Sequence, residues 1–206
     1  ISREMHPGTP FLSLDGKITE YLFWGDQFNY FMQSSREPLF LYRDFARFLK
    51  QHRPDVIHFH HTMRIGLEAI KIAHDLLPDA VIVYTLHDFI PICHNNGQMV
   101  RSWNNELCGR ASPDRCNKCF PEISPARFKT RELFIKTHLS LVDAFVSPSM
   151  LLAERYIEWG ISRARIHIIE NGTESAKPAP HREIPYGHRR NHFAFFGQVS
   201  PYKGTR

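Results

Sequence analysis

From Pro38 onward the apolar positions alternate between helical and extended spacing. Leu41, Phe45, Phe48 and Leu49 share one helical face, while Arg43, Asp44, Arg47 and Lys50 fall mostly off it. This predicts a helix that opens at Pro38 and stops before Pro54. Asp55–His60 is a short β-rich run, suited to a buried parallel strand. Residues 64–77 predict a second helix with Ile65, Ala69, Ile72, Ala73 and Leu76 on one face, and residues 80–86 a second strand. A helix over about 125–140, a strand over 142–146, a helix over 150–159 and a strand over 165–169 continue the series. Ser147 or Ser149 supplies the cap for the 150–159 helix, and Gly160 its stop. The alternation predicts an α/β fold with a Rossmann-like, doubly wound parallel sheet.

The pattern breaks in three places. Residues 1–35 are aromatic-rich and irregular, with a strand or turn expected near Ile18–Trp24. After residue 86 a long connection, with an insert over 89–124, holds all four Cys together with Pro, Gly and Asn. Connections of that length are usually functional or separately stabilised. Asn171-Gly172 predicts a turn, and with Thr173 it also spells a glycosylation sequon; the turn is the simpler reading. Residues 173–190, rich in Pro and charge, predict an interdomain linker, and His192–Phe196 a fresh strand. The expected layout is therefore a domain over 1–172, a linker over 173–190 and the start of a second domain over 191–206.

Composition narrows the function classes. The net charge of +5 is scattered along the chain. It suits anionic small molecules or a lipid surface better than nucleic acid, which favours a clustered basic stripe. No apolar run approaches the ~20 residues needed to cross a bilayer, and the start lacks a signal-peptide layout. A cytoplasmic protein, peripheral to the inner face of the membrane at most, is expected. Thirteen His draw attention to candidate sites. Ligands in open α/β sheets bind beyond the carboxyl ends of the strands. His60, His61, His87, Asp88, Ser147 and Asn171 all fall there. His58 and His60 also form an H-x-H pair on one strand face, as in some metal-dependent hydrolases; a packed, hydrogen-bonded His58 competes with that reading. Cys93, Cys108, Cys116 and Cys119 allow a tetrahedral zinc site, unligated thiols, or a disulfide or iron–sulfur arrangement.

Five segments, in order, resemble one family. Asp55–His61 is similar to the "PDVVHxHH" strand of the retaining glycosyltransferases called family 4, or group 1. Thr85–Asp88 resembles its "T(L/V)HD", Val142–Ser149 its "aDxvixpS", Ile168–Gly172 its "vIpNGi", and Phe195–Gly204 its "fvGRlxxxKG". The resemblance implies the GT-B fold, two Rossmann-like domains with the reaction between them, of which this chain is the acceptor side and the start of the donor side. It implies transfer of a hexose from a nucleotide-diphospho-sugar to a glycan or lipid-linked acceptor. His87 then lies near the donor sugar, with Asp88 beside it as the catalytic pair. His60, His61, Ser147 and Asn171 bind substrate, while Gly197, Gln198 and Lys203 face the donor diphosphate. Gln198 departs from the family's Arg and brings no charge. The family's carboxylate motif lies beyond Arg206, so the chain is expected to be an incomplete, inactive fragment. Cys-bearing inserts after the HD pair occur in a subset of the family, consistent with structural zinc. The alternative is a non-catalytic, zinc-stabilised Rossmann-like binding module.

Overall fold

The computed structural model describes residues 2–4, 11–13, 20–24, 27–36, 40–172, 185–187, 193–197 and 199. The chain divides into two units, Ile1–Glu170 and Asn171–Arg206.

In the first unit, β1 (Ser2–Glu4) and β2 (Phe11–Ser13) flank β3 (Glu20–Trp24), parallel and antiparallel respectively. A small hairpin joins β4 (Phe28–Asn29) to β5 (Ser34–Ser35). A π-helical segment, Phe40–Phe45, runs into α1 (Ala46–His52), which ends with Arg53 in the left-handed region. Then come β6 (Val56–Phe59), α2 (Glu68–Leu76), β7 (Val81–Thr85), α3 (Pro113–Cys119), α4 (Pro125–Leu139), β8 (Ala144–Ser147), α5 (Met150–Trp159) and β9 (Ile166–Ile168). The four later strands form one parallel sheet in the order β6-β7-β8-β9. This is the Rossmann-like α/β sheet expected from the alternation. The strand order advances in one direction, the progression found in one half of a doubly wound sheet.

Local chemistry explains the boundaries. Ser112, Ser124 and Ser149 each cap a helix by accepting a backbone N–H from the third residue on, and Pro113 and Pro125 occupy first-turn positions where no N–H is needed. Gly160 closes α5 at φ +113°, a conformation that favours glycine. The helix expected over 64–77 starts only at Glu68, because Arg64 and Gly66 take positive φ in a turn closed by Gly66 N–H to Thr62 O. The hairpin claims this segment: Leu67 N–H donates to Gln33 O, and a Cβ at Gly66 would lie 2.6 Å from Ser35 N. The insert carries a helix, α3, that its apolar pattern does not signal. Its Ser112-Pro113 start is the local cue.

The core is one cluster. Phe45 and Leu49 of the first helical segment meet Ile70 and Ala73 of α2, Ile82 and Tyr84 of β7, Ile135 and Leu139 of α4, and Phe145 and Tyr156. In the second unit, Tyr186 and Gly187 lie in a turn. The strand expected over 192–196 is not formed at 193–196, where Phe193 and Phe196 stand exposed with no ladder partner among the described residues to hold an extended segment. The 171–172 pair is in no regular element. The expected linker falls almost wholly outside the described residues. Among the described residues no helix is long and apolar enough to cross a membrane.

Candidate functional site

Parallel pairing brings the carboxyl ends of β6, β7 and β8 to one edge. Val56 pairs with Val81 and Phe59 with Tyr84, so His60 and His61 leave β6 level with the end of β7, just before His87 and Asp88. His60 Nδ1 and His87 Nε2 are 3.0 Å apart, a hydrogen bond in which one ring donates and the other accepts. The His61 and His87 rings stack with centroids 4.9 Å apart, and His58 lies beside His60 at 4.2 Å. His58 Nε2 is 2.7 Å from Thr85 Oγ1. Four imidazoles from two strands thus form one array.

Two members of the array, His87 and His58, favour the neutral ring. Partial burial first, then the imidazoles of His61 and His60, hold His87 below the usual histidine value, against the opposing pull of Asp88. His58 is lowered by burial and then by His60. Neutral rings keep both a donor and an acceptor, which suits hydroxyl recognition better than ion pairing.

Asp88 is held by the fold as much as by the array. Its Oδ1 accepts from Ile90 N–H at 2.8 Å, and its carbonyl accepts from the buried Tyr156 hydroxyl of α5 at 2.9 Å. The other carboxylate oxygen lies 3.9 Å from His61 Nδ1. Asp88 therefore closes its own turn while presenting one oxygen to the array. A cavity of about 660 Å³ opens on the β6 side of the array, lined by Phe45, Phe48 and His52 and by His58, His60 and His61.

Of the remaining expected substrate-binding residues, the first unit contains only Ser147. Ser147 is fully buried and donates to Ser149 O at 2.9 Å, so its hydroxyl serves the turn into α5. Asn171 and Gly197 belong to the second unit. Gln198 and Lys203 lie outside the described residues. Thr85 opens the Thr85–Asp88 segment but was not expected to hold His58; Tyr156, which holds Asp88, carries no motif signal. Arg131 was also missed, although a cation spaced with Phe128 and Ile135 on a buried helix face was legible.

The four thiols lie apart from the His array. All are free, and all line one small cavity of about 20 Å³ together with His94, Arg115 and Phe120. Burial pushes the Cys93 thiol up and that of Cys116 up to about 11. Thiols raised in this way make poor nucleophiles, so Cys93 and Cys116 are not read as catalytic cysteines.

The family model described as Glycosyltransferase Family 4 matches residues 20–177, well over half of the chain. No curated protein and no solved structure matched it.

Proposed function

Because the chain belongs to glycosyltransferase family 4, we propose that it forms the acceptor side of a retaining GT-B enzyme. That enzyme moves a hexose from a nucleotide-diphospho-sugar to a hydroxyl of a glycan or lipid-linked acceptor. The observation that carries this reading is the array of His60, His61, His87 and Asp88 at the carboxyl edge of the parallel sheet. In the reaction the bond from the anomeric carbon to the diphosphate oxygen breaks and one to the acceptor oxygen forms, the acceptor hydroxyl's proton passing to the departing diphosphate, with the anomeric configuration kept.

Each group has a role its environment suits. His87, with one nitrogen tied to His60, offers the other to a hydroxyl of the donor sugar. His61 and the free oxygen of Asp88 orient the acceptor hydroxyl. Gly197, Gln198 and Lys203 are assigned to the donor diphosphate, where charge develops as the leaving group departs. Lys203 is the cation of that set. Asn171 is kept as a substrate contact, whereas the buried Ser147 acts only by shaping the turn. The acceptor is brought from the cytoplasmic side, with the dispersed positive charge allowing contact with an anionic lipid surface.

The test is release of UDP or GDP by the full-length protein from a panel of nucleotide-diphospho-sugars. His87→Ala should lower kcat/KM at least about tenfold, the equivalent of ~1.4 kcal/mol of lost transition-state binding. No release with any donor, together with no nucleotide binding, removes the reading.

A further inference from the structure

The insert between β7 and α4 is long, yet it contributes little to the core. Over residues 89–124 only Pro91, Ile92, Gly97 and Met99 are buried. Trp103 and Leu107 stand exposed. Its regular structure is α3 and a single bridge between Val100 and Leu107. Asn96, Met99 and Asn105 take positive φ, a cost that packing of this kind does not repay. Apolar burial is too sparse to hold such a segment in one conformation.

The insert does gather four sulfurs. Cys116 and Cys119 sit three residues apart on α3, which places both on one helix face. Cys93 and Cys108 arrive from opposite ends of the loop. Cys93 N–H is bonded to Phe89 O, and Cys108 N–H to Met99 O. All four line the same small, almost wholly apolar cavity, a volume that admits a metal ion and little else. None is paired as a disulfide.

Beside this cavity lies an unusual cation. Arg131 of α4 is 3% exposed. It donates from Nε to Phe31 O at 2.6 Å, and from its two terminal nitrogens to Pro91 O at 2.8 Å and Ile90 O at 2.7 Å. Those carbonyls take three of its five N–H donors but supply no counter-charge, and a buried cation ordinarily needs one. The ionisable groups near enough to favour its charge are Cys116, Cys93 and Tyr156. Tyr156 is fully buried, and its phenol is held well above its usual range by that burial. The sulfurs remain, and Arg115 adds a second cation at the cavity wall.

We propose that Cys93, Cys108, Cys116 and Cys119 bind a structural zinc ion, which cross-links the insert and places an anionic centre against Arg131 and Arg115. Four thiolates around a divalent ion form a net dianion, which the two guanidiniums balance. Binding releases the four thiol protons to solvent, with no change of oxidation state. Among the described residues no three His, Cys, Asp or Glu side chains already converge as ligands. The four thiols share one cavity wall, and the proposal requires their side chains to rotate inward to close a tetrahedron around the ion.

The inference stands independently of the glycosyltransferase reading, and its test needs no activity. The full-length protein, purified under reducing conditions, should retain one equivalent of zinc by elemental analysis. Replacement by cobalt should give the visible bands and sulfur charge-transfer absorption of tetrahedral thiolate coordination. Cys116→Ser with Cys119→Ser should abolish both. Should that variant fail to fold, the cobalt spectrum of the unmodified protein decides alone. Absence of bound metal with all four thiols reactive in the native protein overturns the proposal, as does a disulfide between any two of them.

Discussion

Removing one oxygen measures how firmly Asp88 is held. Tyr156→Phe keeps the buried ring but leaves the Asp88 carbonyl without its donor, which should cost about 1–2 kcal/mol of stability by urea denaturation. It should also lower transfer activity more than the stability loss explains, since the Asp88 turn is released. The histidine array makes a second prediction. His58 and His87 are held below their usual value, so the folded state carries fewer protons than the unfolded chain in the window just below pH ~6.5. Their contribution is complete above that value and is lost as pH falls through the folded pKa. The thermal midpoint of His87→Asn should therefore fall less than that of the parent between neutral pH and mildly acidic pH; parallel curves would contradict this. His60, His61, His87 and Asp88 were legible because each follows a short apolar run. Their contacts were not, because strand register decides which side chains meet, and register is a property of the paired sheet. Ser147 shows the converse: its place at a strand end was legible, but β8 ends inside the core, where Ser147 is buried.

Helices show the same division. Caps at Ser124 and Ser149 and the stop at Gly160 are written locally, so α4 and α5 fall within a residue or so of their expected bounds. The start of α2 is set by a hairpin more than thirty residues earlier in the chain, as the Ser35 N–H to Glu68 Oε2 bond illustrates, and no local signal reports it. On α4, Phe128, Arg131, Ile135, His138 and Leu139 are buried together, so this helix docks through a cation as well as through apolar groups. Arg131→Met conserves much of the stem but strips donors from three carbonyls. It should destabilise the fold by roughly 3 kcal/mol by chemical denaturation, and protease cleavage should concentrate in the insert that Ile90 and Pro91 begin. Equal stability of parent and variant would show that the carbonyls find other donors.

The architecture itself was legible from the alternation of periods, because parallel strands need helical crossovers; the expected burial of the 55–60 strand was not met, since β6 stands at one end of the described sheet with Val56 exposed. The order of strands was not legible, since alternation alone is consistent with winding in either direction. That order has a consequence for how the protein is made. β7 pairs with β6, β8 with β7, and β9 with β8, so each strand finds its partner already present at the growing rim. A chain leaving the ribosome amino end first can add them one at a time, without waiting for a distant segment to be synthesised. The longest link in this sequence is the step from β7 to β8, where the nascent chain must deliver the cysteine-bearing insert and α4 before the next strand arrives.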